Sequence, residues 1–233
     1  MSFDLIFANG CSFVQGSALG GRNLPSEPVK DVPNRFSDLV AKHFNAEECN
    51  IAAGGSGNDK IFRTTFDWIE NNKARIQDKK ILICLGLSFP QRSEIYSVSK
   101  GGYTKFNVYK DGKLAERISK ESKVLDEEQV KQFARVWFME FYDVDERIKA
   151  QYKLIKTLLA YIKQEVPNYE LFIFNSLEDE YPNWFREGLE LDETFNPSWN
   201  RYIQKHKLNP DGMWHPLEEA HADMAKYIIE KYG

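Results

Sequence analysis

The sequence predicts an α/β protein, a parallel sheet held between two layers of helices. Three observations carry this. The runs at residues 3–8 (FDLIFA), 80–87 (KILICLGL) and 169–174 (YELFIF) are nearly continuous in apolar residues, the pattern of strands covered on both faces. Segments with apolar residues at helical spacing separate them. The intervals are long enough for the crossover helices that parallel pairing needs. A chain of 233 residues suits one such domain with room for an insertion.

Each element follows from local signals. The first run ends at Asn9-Gly10, a turn dipeptide, and a loop rich in Gly, Pro and Ser runs from Gly16 to about Pro33. Phe36, Leu39, Val40 and Phe44 then recur at helical spacing. Residues 48–52 (ECNIA) read as a second strand, closed by Gly54-Gly55-Ser56-Gly57, and Ile61, Thr65, Trp68 and Ile69 mark the next helix. After the strand at 80–87, regularity breaks. Tyr96, Tyr103, Phe106, Val108 and Tyr109, with the turn signal Asp111-Gly112, read as a β-hairpin within residues 95–118. Val130, Phe133, Trp137 and Phe141 share one helical face. The stretch 95–145 therefore reads as a hairpin and helical insertion placed to cap a site. Ile148, Tyr152, Ile155, Leu159 and Ile162 mark a helix ended by Pro167. Residues 178–210 read as irregular, and a last helix follows His215-Pro216. The whole chain, 1–233, reads as one domain.

Composition narrows the function. Hydrophobic residues make up 42% and charged residues 28% of a chain with net charge −4. That balance argues against a dedicated nucleic-acid binder, since no cationic excess would neutralise phosphates. Cys11, Cys49 and Cys84 are odd in number and fit no zinc or redox spacing, so reduced thiols in a reducing compartment are expected. The first residues lack a basic region and a long apolar stretch, and no apolar run approaches the ~20 residues that span a bilayer. The expected location is cytoplasmic, with no membrane partner. Oligomeric state is not encoded in any recognisable way.

Three segments carry candidate chemistry. Ser12 follows the first strand, at the edge where open α/β sheets place ligands; it is either a turn residue or a nucleophile that needs an adjacent base. The glycine loop at residues 54–57 either makes a tight strand-to-helix turn or offers backbone N–H groups to an anion. A nucleotide-binding reading rests on that loop alone, which lacks the third glycine of a dinucleotide fingerprint and the Gly-Lys-Ser/Thr of a phosphate loop. Asp211 and His215 precede the last helix, where they are either solvated loop residues or an acid and the base it orients.

Taken in order, these pieces resemble the SGNH/GDSL hydrolase family. Gly10-Cys11-Ser12-Phe13 is similar to the family's first block in a Gly-Cys-Ser-Phe form, also seen in uncharacterised bacteriophage-encoded SGNH-like proteins. Asn50 to Asn58 resembles the second block, with Gly55 in place of the oxyanion-hole glycine. Gly86-Leu87-Ser88-Phe89 falls where the third block, Gly-x-Asn-Asp, belongs, and His215-Pro216 with His221 matches the last. The resemblance implies a three-layer, flavodoxin-like fold. It implies Ser12 as nucleophile, His215 as general base, Asp211 as its orienting acid, and Ser12, Gly55 and Ser88 at the oxyanion hole. It also implies an ester hydrolase that needs no cofactor and removes a small acyl group, such as acetyl from a carbohydrate. Two departures stand out. Ser88 replaces the asparagine of the third block, and Asp211 lies four residues before His215 rather than three. They motivate the alternative of an SGNH-fold module that binds a glycan or a protein without turnover.

Remaining residues divide between roles. Arg92 and Asn58 either contact substrate or structure their loops. Trp184, Trp199 and Trp214 either stack on a sugar or pack in the core, and Trp214 adjoins His215. Cys11 is expected to pack inward beside Ser12, and His221 to be a structural histidine on an apolar helix face. His43 and His206 are not expected at the site, and the four histidines have no metal-ligand spacing.

Overall fold

The computed structural model describes residues 2–21, 24–25, 27–98, 101–107, 128–129, 132, 136, 143–177, 181–208 and 215–233. Strands β1 (Leu5–Asn9), β2 (Glu47–Asn50), β3 (Ile81–Leu87) and β6 (Tyr169–Asn175) form one sheet, ordered β2-β1-β3-β6. All its pairs are parallel, with Leu5 opposite Ile81 and Ile83 opposite Leu171. Strands β4 (Arg92–Ser97) and β5 (Gly102–Asn107) form a separate antiparallel hairpin. The helices are α1 (Ser12–Gln15), α2 (Phe36–Phe44), α3 (Asn58–Ile76), α4 (Val144–Glu165), α5 (Asn183–Gly188), α6 (Trp199–His206) and α7 (Glu218–Tyr232).

The continuous apolar strands feed two cores, because successive side chains point to opposite faces. Ile6, Ala8, Leu82, Cys84, Phe172 and Phe174 meet Phe36 and Val40 of α2 and Met224 and Ile228 of α7. Leu5, Phe7, Ile81, Ile83 and Leu85 meet Ile61 and Ile69 of α3 and Ile148 and Ile155 of α4. The result is three layers with helices on both faces. Each of the Leu, Ile, Val, Phe and Met side chains among these buried residues stabilises by ~1.5–3 kcal/mol. Exposed ion pairs such as Lys42–Asp38 and Lys149–Glu146 are screened by water and contribute little beside this. Apolar burial therefore dominates this fold.

Asparagines fasten the sheet edge where the strands end. Asn9 Nδ2 donates to the Ile61 carbonyl and Thr65 Oγ1, both at 2.9 Å, tying β1 to α3. Asn50 Nδ2 donates to the Val14 carbonyl at 3.0 Å, and Asn175 Nδ2 to the Pro197 carbonyl at 2.6 Å. The loops above the sheet are thereby attached to the strands beneath them.

Two expectations need correction. The hairpin turns at Val98–Gly101, not at Asp111-Gly112: Tyr96 pairs with Tyr103 and Ser97 with Gly102, and Gly101 takes φ 64. The Gly101-Gly102 dipeptide supplies that turn, while Asp111-Gly112 lies outside the described residues. So does most of the expected helix at 126–142, and with it most of the expected cap. Residues 181–208, expected to be irregular, contain α5 and α6. α5 is too short to show a periodic pattern, whereas α6 carries Trp199, Tyr202 and Ile203 at helical spacing and is started by Ser198, whose side chain accepts from the Arg201 N–H. Among the described residues, no helix is long and apolar enough to cross a membrane.

His221 is a structural residue. It is fully buried in α7, and its Nδ1 accepts the Phe36 N–H at 3.1 Å. Burial first, and the charge of Arg35 second, lower its pKa from 6.5 to about 3. Above pH 6.5 the ring is neutral in both folded and unfolded chains. Below it, only the unfolded chain takes up the proton, so stability falls as pH drops from 6.5 toward 3. One such group contributes ~1.4 kcal/mol per pH unit in that window. Urea unfolding between pH 7 and 4.5 should show a steeper loss for the wild type than for His221→Gln, and parallel curves would contradict this.

Candidate active site

The end of β1 approaches β3 closely. A Cβ on Gly10 would lie 3.0 Å from the Gly86 carbonyl oxygen and would collide with Val14. Glycine thus lets the chain turn directly above the sheet, and Ser12 becomes the first residue of α1 at the carboxyl edge. Ser12 is 9% exposed. Cys11 beside it has no exposed surface and joins the core with Ala8 and Val14, so sulfur packs inward while the hydroxyl stays at the edge.

His215 stands just ahead of α7, and its Nε2 lies 3.0 Å from Ser12 Oγ. The two residues are far apart in sequence and meet because β1 and α7 pack around the same sheet edge. The His215 ring also lies against Phe13, with centroids 5.6 Å apart. Burial, and then the positive charge of Arg92, lower the pKa of His215 from its ordinary value of 6.5. A neutral imidazole at hydrogen-bond distance from an alcohol is placed to accept its proton at neutral pH.

The glycine loop turns between Ala53 and Ser56, whose N–H donates to the Ala53 carbonyl at 3.2 Å, with Gly55 at φ 71. Among the described residues, neither the Ser12 N–H nor the Gly55 N–H is spent on a protein acceptor. Gly57 is needed for a different reason. A Cβ there would strike the Arg92 carbonyl, reaching its carbon at 2.6 Å, so the loop and the start of β4 lie in direct contact.

Ser88 follows β3, is fully buried, and is clamped from beneath by Asn58. The Ser88 N–H donates to Asn58 Oδ1 at 2.7 Å, and the Ser88 carbonyl accepts from Asn58 Nδ2 at 3.1 Å and from the Tyr181 hydroxyl at 2.6 Å. Asn58 Nδ2 also lies 2.8 Å from Gln151 Oε1 and 2.6 Å from the Tyr181 hydroxyl oxygen. Asn58 has no exposed surface, so its amide supports the post-strand loop rather than meeting a substrate. The Ser88 hydroxyl accepts from Arg92 Nη1 at 3.0 Å.

The structure thus brings Ser12, His215, Ser88 and Arg92 to one edge of the sheet, with the Gly55 loop packed against Arg92. Asp211 and Trp214 lie outside the described residues. Trp199 is fully buried against Phe36 and Phe174, whereas Trp184 is partly exposed beside Tyr152. Sequence reasoning missed Tyr181 and Gln151, which complete the clamp on Ser88. Neither sits in a motif, and only the fold brings them near it.

A scan against protein-family models and a search of curated proteins find no match. Solved structures do match. An acetyl xylan esterase from the rumen bacterium Butyrivibrio proteoclasticus superposes with TM-score 0.50 at 14% identity, covering 99% of this chain and 64% of that one. This chain therefore spans less than two thirds of that protein's structure. A carbohydrate esterase, whose active site is described as having divergent catalytic and non-catalytic binding functions, superposes with TM-score 0.50 at 15% identity, covering 99% and 68%. A lipolytic G-D-S-L family member from Veillonella parvula matches with TM-score 0.45 at 12% identity, covering 98% and 97%. At these identities the likeness speaks for architecture alone, a parallel sheet with helices on both faces that this chain shares with the two esterases.

Proposed function

We propose that the chain is a serine ester hydrolase that removes a small acyl group through an acyl-serine intermediate. The observation that carries this is the 3.0 Å approach of His215 Nε2 to Ser12 Oγ. His215 Nε2 takes the hydroxyl proton as Oγ bonds the acyl carbon, and the carbonyl π pair moves onto oxygen. The N–H groups of Ser12 and Gly55 donate to that oxyanion. Asp211 holds the imidazole by its other nitrogen, a role taken from the family resemblance. Collapse breaks the bond to the leaving alkoxide, which receives the proton from His215. Water then attacks the acyl-serine in the same manner, releasing the acid and restoring Ser12.

The acyl group we propose is acetyl and the alcohol a carbohydrate. The acetyl xylan esterase and the carbohydrate esterase that share the fold support this class. The rival reading is an SGNH-fold module that binds a glycan without turnover. Ser88 favours it, since its hydroxyl is occupied by Arg92 and replaces the family's asparagine donor.

A fluorophosphonate probe separates the two. Stoichiometric labelling at Ser12, located by peptide mass, together with hydrolysis of a small aryl acetate, is the expected result. Absence of both in folded protein that still binds a glycan would reject the hydrolase.

A further inference from the structure

We infer that Arg92 is a catalytic residue, its guanidinium supplying the third oxyanion donor from the place the family gives to an asparagine side chain. This rests on the ester-hydrolase reading and adds a residue to it.

Position is the first argument. Ser88 stands in the third block but is fully buried, and its hydroxyl accepts from Arg92 Nη1 at 3.0 Å. The serine thus holds the guanidinium at the post-strand loop, and the longer side chain carries the donors. Gly57, next to the proposed oxyanion loop, lies against the Arg92 backbone and would place a Cβ 2.8 Å from Arg92 Cβ. The guanidinium also rests over the Phe89 ring, 5.0 Å from its centre. Its charge acts on His215, whose Nε2 touches Ser12 Oγ.

Charge is the second argument. Other partly or fully buried arginines are neutralised by carboxylates: Arg63 by Glu94, Arg147 by Asp59 and Arg35 by Glu48. Among the described residues no carboxylate pairs with Arg92. A partly buried guanidinium with no carboxylate partner among the described residues is suited to stabilise negative charge that develops on a nearby oxygen.

Rigidity is the third. The residues flanking Arg92 are pinned. The Pro90 carbonyl accepts from Arg147 Nε at 3.3 Å, Ser93 Oγ from Arg147 Nη2 at 2.8 Å, and Glu94 from Arg63 at 2.9 Å. The Arg92 N–H donates to the Phe89 carbonyl at 3.2 Å. A donor fixed before the reaction needs no reorganisation during it.

The test measures kcat, KM and melting temperature for wild type, Arg92→Ala, Arg92→Lys, and Arg92→Ala combined with Ser88→Asn. The substrates are a neutral aryl acetate and an anionic aryl hemisuccinate. For Arg92→Ala, kcat on the neutral ester should fall by about 10²–10³-fold with KM changed less than about threefold. Ser88→Asn in that background should recover at least about tenfold, by restoring the family's donor. The acid limb of kcat/KM should move to higher pH in Arg92→Ala and stay closer to wild type in Arg92→Lys, which separates loss of the charge from loss of burial around His215. Arg92→Lys keeps the charge, guards against misfolding of the alanine variant, and should retain more kcat than alanine. Unchanged kcat in folded Arg92→Ala would overturn the inference while leaving the hydrolase intact. So would a loss confined to KM for the hemisuccinate, which would instead mark a subsite for anionic substrates. A wild type that neither turns over ester nor accepts the fluorophosphonate would overturn the hydrolase reading and this inference with it.

Discussion

Ser12→Ala is expected to lower kcat on a small aryl acetate by at least about 10⁴-fold, and His215→Ala to lower it by a similar factor. The reason is geometric. An alcohol is a weak nucleophile until its proton has somewhere to go, and His215 Nε2, 3.0 Å from Ser12 Oγ, is where it goes. Because hydroxyl and imidazole act in one step, their losses should not add. The double variant should be about as slow as the worse single variant, with the residual rate coming from binding and the oxyanion donors. Losses that multiply in the double variant would mean the two groups act separately, and the pairing would then be structural. The pH profile gives a second reading of the same pair. Burial and Arg92 depress the His215 pKa below 6.5, and the base works only when neutral. The rate should therefore climb with pH and level off before neutrality, and an acid limb centred above 6.5 would contradict the environment described for this ring.

How much of this could be read from the chain depended on how local each signal is. The strands at 80–87 and 169–174 were legible because burial on both faces forces continuous apolar sequence, and the helices beginning at Phe36 and Asn58 because one apolar face repeats over several turns. Ser12 and His215 were legible because each sits at a strand or helix boundary in a short recognisable motif, though neither motif says that the two side chains touch. The turn of the hairpin was misplaced because Asp111-Gly112 is the conspicuous turn signal, whereas pairing register rather than turn propensity sets the turn at Gly101-Gly102. The polar clamp under Ser88 was illegible for a deeper reason. Asn58 comes from α3, Gln151 from α4 and Tyr181 from the loop after β6, and no spacing relates them. The Arg92–Ser88 bond lay within reach of inference. A side chain too short for its family role, four residues before an arginine, invites the question of what replaces it.

That clamp leads to the second large effect, which Asn58→Asp is expected to show. The substitution keeps the shape of the side chain and exchanges one NH₂ group for an oxygen. Asn58 Oδ1 already accepts from the Ser88 N–H, and an aspartate can do the same. On the other side, Nδ2 faces the Ser88 carbonyl at 3.1 Å and Gln151 Oε1 at 2.8 Å. Both are acceptors, so an aspartate oxygen there meets like partial charges in a site with no exposed surface. A buried donor exchanged for a buried charge costs roughly 3–5 kcal/mol, a large part of a domain's total stability of about 5–15 kcal/mol. Protonating the aspartate restores a donor, so the folded-state pKa of the new carboxyl must lie above its unfolded value. The penalty should therefore be largest near pH 7 and shrink as pH falls toward 5, opposite in sign to the His221 effect. Urea unfolding at pH 7 and pH 5 for Asn58→Asp beside Asn58→Ala measures this directly. The alanine variant also loses the clamp but carries no charge, and its deficit should not shrink at low pH. If Asn58→Asp were as stable as wild type at pH 7, the amide could not be oriented as described, and Ser88 would need some other support to hold Arg92 against the site.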